Sequence, residues 1–107
     1  MLGQEFVVLS FTYDGSVWSG NPVGGAILSV GLVGVFDSDD KAIKVSRDIA
    51  KEIGMPEEKM RNGLIDFIPI DSDGKYIDPD TVGRDPDYVF CIYCRAVTVN
   101  ERLRPGS

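Results

Sequence analysis

Cys91 and Cys94 form a C-x-x-C spacing, which is the chain's clearest hint of reactive side chains. Such a pair supports redox chemistry at the N-terminus of a helix, and a structural zinc site needs two further Cys or His ligands. This pair lies within a run of aromatic and β-branched residues that predicts a strand, where residues three apart point to opposite faces. The chain has no third cysteine and no histidine. We therefore expect two buried, reduced thiols with a structural role.

Carboxylates are concentrated between residues 71 and 87, where six aspartates stand against two basic residues. On the calcium loop of an EF-hand, Asp71, Asp73 and Asp80 would occupy the third, fifth and twelfth positions. The first position falls on Pro69, however, and the twelfth lacks the bidentate glutamate. Aspartate, glycine and proline are also the ordinary residues of turns. The pattern favours a turn-rich acidic loop, and we expect no metal and no cofactor.

The net charge and the missing histidine narrow the possible functions. A net charge of −6 and a sequence pI near 4.5 argue against direct binding of nucleic acid, which needs clustered Lys and Arg. Without histidine, the chain lacks the commonest general base and the commonest metal ligand. We therefore expect a non-enzymatic protein.

Length and composition predict one domain over residues 1–107, with 43% hydrophobic and 26% charged residues. No charged residue occurs from residue 16 to residue 36, but Asn21 and Pro22 interrupt this stretch. Its continuous apolar part is too short to cross a bilayer, so we expect no membrane association. Two cysteines and no recognisable signal peptide indicate a cytoplasmic location.

The segment that contains both cysteines, residues 87–99, is the most distinctive predicted element. Read with a period of two, one face carries Tyr88, Phe90, Ile92, Cys94 and Ala96. The other face carries Val89, Cys91, Tyr93, Val97 and Val99, interrupted by Arg95. A strand that is apolar on both faces is typical of the middle of a sheet that is covered on both sides.

Three further strands are predicted from alternating apolar residues. They cover residues 5–13, 27–36 and 64–70, and Pro69 places the third near an edge because proline cannot donate to a ladder. Gly31 and Gly34 indicate bulges or a close approach of the backbone in the second strand. A short strand at residues 75–78 and a loop at residues 79–86 follow. A long loop runs from Ser16 to Gly25, with Trp18 at its tip.

One long helix is predicted after residue 38. Asp37 or Ser38 caps it, and Gly54 ends it. Its apolar positions recur at helical spacing: Ala42, Val45, Ser46, Ile49, Ala50 and Ile53. A second helix of one to two turns opens at Pro56. These elements predict an α+β fold, in which a small antiparallel sheet of about four to five strands packs against one long helix and one short helix.

Three short segments carry a resemblance to a class of proteins. They are Phe6-Val-Val-Leu-Ser-Phe, then Gly34-Val-Phe-Asp-Ser-Asp-Asp-Lys-Ala42, then Ile68-Pro-Ile-Asp. Together they resemble small accessory proteins of phages and mobile elements, over roughly half of the chain. The shared motifs are capping and packing features rather than a site. The resemblance implies a small binding protein, in some cases one that blocks a host factor.

Our interpretation is a non-enzymatic protein-binding module, in its most specific form a phage- or mobile-element-encoded inhibitor of a host protein. The expected contacts are Trp18 as an anchor and five aspartates facing a basic surface, namely Asp71, Asp73, Asp78, Asp80 and Asp85. Two alternatives stay open. One is a protein that binds or sequesters a small ligand between the loop from Ser16 to Gly25, Trp18 and the sheet. The other is an enzyme that uses carboxylates alone.

Self-association is also expected, because one helix of about four turns covers one face of a small sheet and hardly two. The expected homodimer interface is Val89, Tyr93, Val97 and Val99, with the uncharged second strand adding to it. The competing expectation is a monomer, in which the loop from Ser16 to Gly25 folds back over the second face.

Overall fold

A computed structural model describes residues 4–19, 27–61 and 65–98 of the chain. Its core is one antiparallel sheet of four strands in the order β2-β1-β4-β3. The strands are β1 (Gln4–Asp14), β2 (Ile27–Phe36), β3 (Ile65–Ile70) and β4 (Tyr88–Thr98). As predicted, β4 lies inside the sheet, between β1 and β3, and β3 with its Pro69 forms an edge.

The helix α1 (Asp39–Ile53) packs across β1, β2 and β4 and covers one face of the sheet. Ser38 caps it, because its Oγ accepts a hydrogen bond from the Lys41 amide at 3.3 Å. The Lys41 ammonium lies 2.9 Å from the Asp37 carboxylate, which lowers the pKa of Asp37. Gly54 ends the helix at φ 108°, in the left-handed region that glycine adopts without strain.

Small side chains form the surface by which α1 approaches the sheet. Ala42, Ser46 and Ala50 are fully buried, and they recur every four residues on one side of the helix. The Ser46 hydroxyl donates to the Ala42 carbonyl at 3.0 Å, so no polar atom is stranded there. The sheet supplies the larger apolar side chains of this core, which are Val8, Ile68, Ile70, Ile92 and Cys94.

The short elements differ from those predicted. A 3₁₀ helix at Glu57–Lys59 replaces the predicted second helix, and Tyr76 makes a single bridge to Ile70 instead of a fifth strand. A four-residue helix, α2 (Pro79–Val82), stands where a loop was predicted, and a 3₁₀ helix at Gly15–Ser19 follows β1. In α2, proline at the first position and an aspartate cap stabilise a turn that is too short for apolar periodicity to indicate.

A bulge in β2 interrupts its regular pairing with β1. The pairing with β1 shifts register between Val8–Gly34 and Leu9–Leu32, which leaves Val33 without a direct partner. Val33 packs against the core under α1, whereas Leu32 lies on the opposite face and is 65% exposed. The bulge therefore lies beside Gly34, one of the two predicted positions.

No element among the described residues covers the second face of the sheet as α1 covers the first. We call it the open face; its strand residues from β1 and β2 are Glu5, Val7, Leu9, Phe11, Tyr13, Ile27, Val30, Leu32 and Val35. Those from β3 and β4 are Ile65, Phe67, Pro69, Val89, Cys91, Tyr93, Arg95 and Val97. None of the described helices is long and apolar enough to span a membrane.

Candidate binding groove

A groove of about 680 Å³ lies at one end of the open face, beside the edge strand β3. Apolar and aromatic side chains line most of it, and charged side chains from two neighbouring segments complete it. The lining includes Val17, Trp18, Met55, Lys59, Arg61, Tyr76, Asp78, Asp80 and Val89. An apolar groove with a few convergent polar groups is the usual form of a binding site.

Trp18 forms one wall of the groove and is 41% exposed. The Gly15 amide fixes the start of its 3₁₀ helix by donating to the Asp87 carbonyl at 3.1 Å. A Cβ atom at Gly15 would lie 1.7 Å from the Pro86 carbonyl oxygen, so only glycine permits this approach. The Ser16 amide donates to the Asp14 carboxylate at 2.9 Å and lowers the pKa of Asp14.

The structure places Trp18 in the groove, within a 3₁₀ helix and not at the tip of a loop. In the predicted ligand loop from Ser16 to Gly25, residues 20–25 lie outside the described ranges. What the structure adds is the opposite wall, which comes from Met55, Tyr76 and α2. Burial raises the pKa of the Tyr76 hydroxyl, as expected for a phenol against apolar side chains.

Two of the five predicted contact aspartates, Asp78 and Asp80, line the groove, and they differ in their bonds. Asp78 caps α2, because its carboxylate accepts hydrogen bonds from the Asp80 amide at 3.1 Å and from the Thr81 hydroxyl at 3.0 Å. The Thr81 hydroxyl is the main cause of a lowered Asp78 pKa, and Lys59 at 3.5 Å adds to it. A general acid needs a raised pKa, so Asp78 is unsuited to acid catalysis. The Asp80 side chain is exposed and accepts no hydrogen bond from a described residue.

The other predicted contact aspartates lie outside the groove lining. Asp71 accepts hydrogen bonds from the Asp73 amide at 2.9 Å and the Lys75 amide at 3.0 Å, which closes its turn. Asp73 is exposed at the tip of that turn, and Asp85 is exposed further along the chain. The acidic segment is thus divided between aspartates that stabilise turns and aspartates on the surface.

The predicted dimer residues differ in how exposed their side chains are. Val89 is only 1% exposed and lines the groove, so its side chain offers little surface to a partner. Tyr93 and Val97 are half-buried on the open face, and Val99 lies outside the described residues. The most exposed apolar side chains of this face are on β2 instead, at Val30 (61%), Leu32 (65%) and Val35 (50%).

The two cysteines are free and buried on opposite sides of β4. Cys94 belongs to the core under α1, whereas Cys91 lies on the open face between its cross-strand neighbours Phe11 and Phe67. Burial raises the pKa of both thiols, that of Cys91 to about 11. This is the placement that the three-residue spacing predicted, and it leaves each thiol protonated at neutral pH.

Asp66 is a buried carboxylate that sequence reasoning passed over. It is 1% exposed, on the same face of the sheet as α1, and its Oδ1 accepts a hydrogen bond from the Arg61 amide at 2.8 Å. Its Oδ2 has no hydrogen-bond partner among the described residues. The signal in the sequence was a charged residue at an inward position of an otherwise apolar strand, since buried carboxylates are rare.

Within the described ranges, no three His, Cys, Asp or Glu side chains are grouped closely enough to hold a metal ion. No family model, curated protein or solved structure matches the chain. The groove and the open face are therefore the two features on which a functional argument rests.

Proposed function

We propose that this chain is a non-enzymatic protein-binding module that holds a segment of another protein in the groove beside β3. The observation that carries the proposal is that Trp18, Asp78 and Asp80, each expected to contact a partner, line one groove together. Tryptophan is prominent among the residues that dominate binding energy at protein interfaces. An apolar side chain of the partner would enter the groove against Trp18 and Val17.

The charges around the groove suggest the neighbouring chemistry of that segment. The Lys59 ammonium lies 3.5 Å from the Asp78 carboxylate, so these two charges largely neutralise each other. The other two charged lining residues, Arg61 and Asp80, form no ion pair among the described residues, so Asp80 is the carboxylate that a Lys or Arg of the partner would meet. A host protein with a basic surface fits this requirement, and inhibition of that protein remains the specific form of the proposal.

A peptide-display selection on the immobilised chain tests the proposal, because the selection itself finds the preferred peptide. We expect enrichment of peptides in which a large apolar residue adjoins Lys or Arg. Trp18→Ala should weaken the selected peptides at least about tenfold, because anchor residues at interfaces contribute about 2 kcal/mol or more. Asp80→Asn should weaken them less and should reduce their salt dependence.

Asp73→Asn is the matched control for the Asp80 variant, since both residues are exposed aspartates and only Asp80 lines the groove. It should bind the selected peptides as the original chain does. If Trp18→Ala binds them with unchanged affinity, the groove is not the binding site. If Asp73→Asn and Asp80→Asn weaken binding equally, only the overall negative charge matters.

A small molecule is the second candidate occupant, because the groove volume of about 680 Å³ lies in the range of small-ligand sites. A fragment library screened by thermal shift distinguishes this case. A compound that raises the melting temperature of the original chain but not of Trp18→Ala would favour it, since a bound ligand stabilises only the folded state.

A further inference from the structure

We infer that a second copy of this chain covers the open face, giving a two-fold dimer in which two sheets stack between two outer α1 helices. The apolar residues of that face are not confined to the groove. Val30, Leu32 and Val35 are at least half exposed, and all three lie on the strand farthest from β3. Soluble monomers rarely leave such a continuous apolar patch uncovered.

The open face approaches the size of a standard protein interface. Its three longest strands have 10 or 11 residues, and β3 has six. With strands about 4.8 Å apart and a rise of about 3.3 Å per residue, the face has a projected area of roughly 600 Å². Side chains make the accessible area larger than this projection. A standard interface buries about 800 Å² on each partner, and a crystal contact mostly buries less than about 400 Å², so a face of this size lies closer to a standard interface.

Charge favours a second copy over a strongly charged partner. The chain carries a net charge of −6, so two copies repel each other over most of their surfaces. The strand residues of the open face include only two charged side chains, Glu5 and Arg95, whose charges are opposite. The described part of β2 has no charge at all. Two copies therefore repel least when these faces meet.

A face-to-face arrangement fits better than pairing between the edges of two β2 strands. Edge pairing would extend the sheet and leave Leu32, Val30 and Val35 exposed on both copies. Stacking instead places them between two sheets about 10 Å apart, the usual spacing of a β-sandwich. The interface is isologous, so each substitution on the face acts twice in the dimer.

Size-exclusion chromatography with light scattering, from high nanomolar to high micromolar concentration, tests the inference. The original chain should reach twice its 11.7 kDa mass. Val35→Asp should raise the dimer dissociation constant at least about 100-fold, because it buries an unpaired carboxylate on each copy. Val82→Asp is the matched control: Val82 is also 50% exposed but lies in α2, off the sheet, and this variant should dimerise normally.

Val35→Thr is the second variant, for use if Val35→Asp fails to fold. It keeps the β-branched shape of valine and adds a hydroxyl group. It should weaken the dimer about tenfold and leave the circular dichroism spectrum unchanged. A monomer mass that persists at high micromolar concentration overturns the inference, whether residues of the same chain or another protein then cover the face. A dimer that both Val35 variants leave intact places the interface elsewhere and overturns it as well. None of these outcomes depends on whether Trp18 binds a peptide, so the dimer can fail while the proposed function holds, and the reverse.

Discussion

The two faces of the sheet share the same central strands but end in different environments. Under α1, the strand side chains Val8, Ile68 and Ile92 are at most 1% exposed, and small helix residues pack closely against them. On the open face, Val30, Leu32 and Val35 are at least half exposed. Apolar alternation in a strand therefore indicates which residues share a face, but the number of covering elements decides whether that face is buried.

The open face is itself divided. Toward the groove, Val89 and Cys91 are at most 3% exposed, and Val89 shares the groove lining with Trp18. Toward β2 the apolar side chains face outward. The same face thus carries the proposed peptide groove at its β3 end and its most exposed apolar side chains on β2 at the other end, so substitutions can address the two separately.

The largest contrast should come from truncating one side chain on each face. Ile92→Ala should lower the free energy of unfolding by about 2–5 kcal/mol, because Ile92 is fully buried and its removal leaves a cavity. Leu32→Ala should cost less than about 1 kcal/mol at concentrations where the chain is monomeric. Urea unfolding of both variants measures this. Equal costs in the monomer would mean that the open face is already covered within the chain.

A smaller effect is expected at Asp66, the carboxylate buried on the covered face. Asp66→Ala should destabilise the chain by about 1–3 kcal/mol, because the Arg61 amide loses its acceptor. Asp66→Asn keeps that acceptor oxygen and should cost less. Thermal unfolding of the two variants compares them. If Asn costs as much as Ala, the negative charge rather than the hydrogen bond matters at this position.

A third effect concerns the Cys91 thiol on the open face and the dependence of stability on pH. Its pKa is near 9.0 when unfolded and about 11 when folded, so the folded state holds the proton more tightly. This contribution to stability is complete below pH 9 and is lost as the pH rises to 11. Because each pKa unit corresponds to about 1.4 kcal/mol, the loss should be on the order of 2–3 kcal/mol. Cys91→Ala should show a correspondingly shallower decline across that window, and an unchanged decline would show that other groups cause it.

The sequence predicted the parts of the fold that rest on local rules. Pro69 indicated an edge strand because it cannot donate, and Ser38 with Gly54 bounded α1 because both residues satisfy helix ends. The spacing of Cys91 and Cys94 indicated their opposite faces. The short helix α2 was missed because four residues show no apolar period, although Asp78-Pro79 carried its capping signal.

Single residues of the candidate site could be predicted from the sequence, but their arrangement in one groove could not. Trp18 and Asp80 were each selected for their chemistry, but their meeting depends on tertiary packing, including the contact of Gly15 with Pro86. The same packing explains why Val89 contributes little to the exposed face, although its alternation places it there. Periodicity assigns a face, whereas contacts between distant segments decide which part of that face is open.

The central claim is that the open face is buried only by association. The most direct test of it is how unfolding depends on the concentration of the chain. If unfolding is coupled to dissociation of a dimer, a hundredfold increase in chain concentration stabilises it by about 2.7 kcal/mol. The urea midpoint should then rise steadily over that range, and it should rise less for Val35→Thr. A midpoint that stays constant over the whole range would contradict the account.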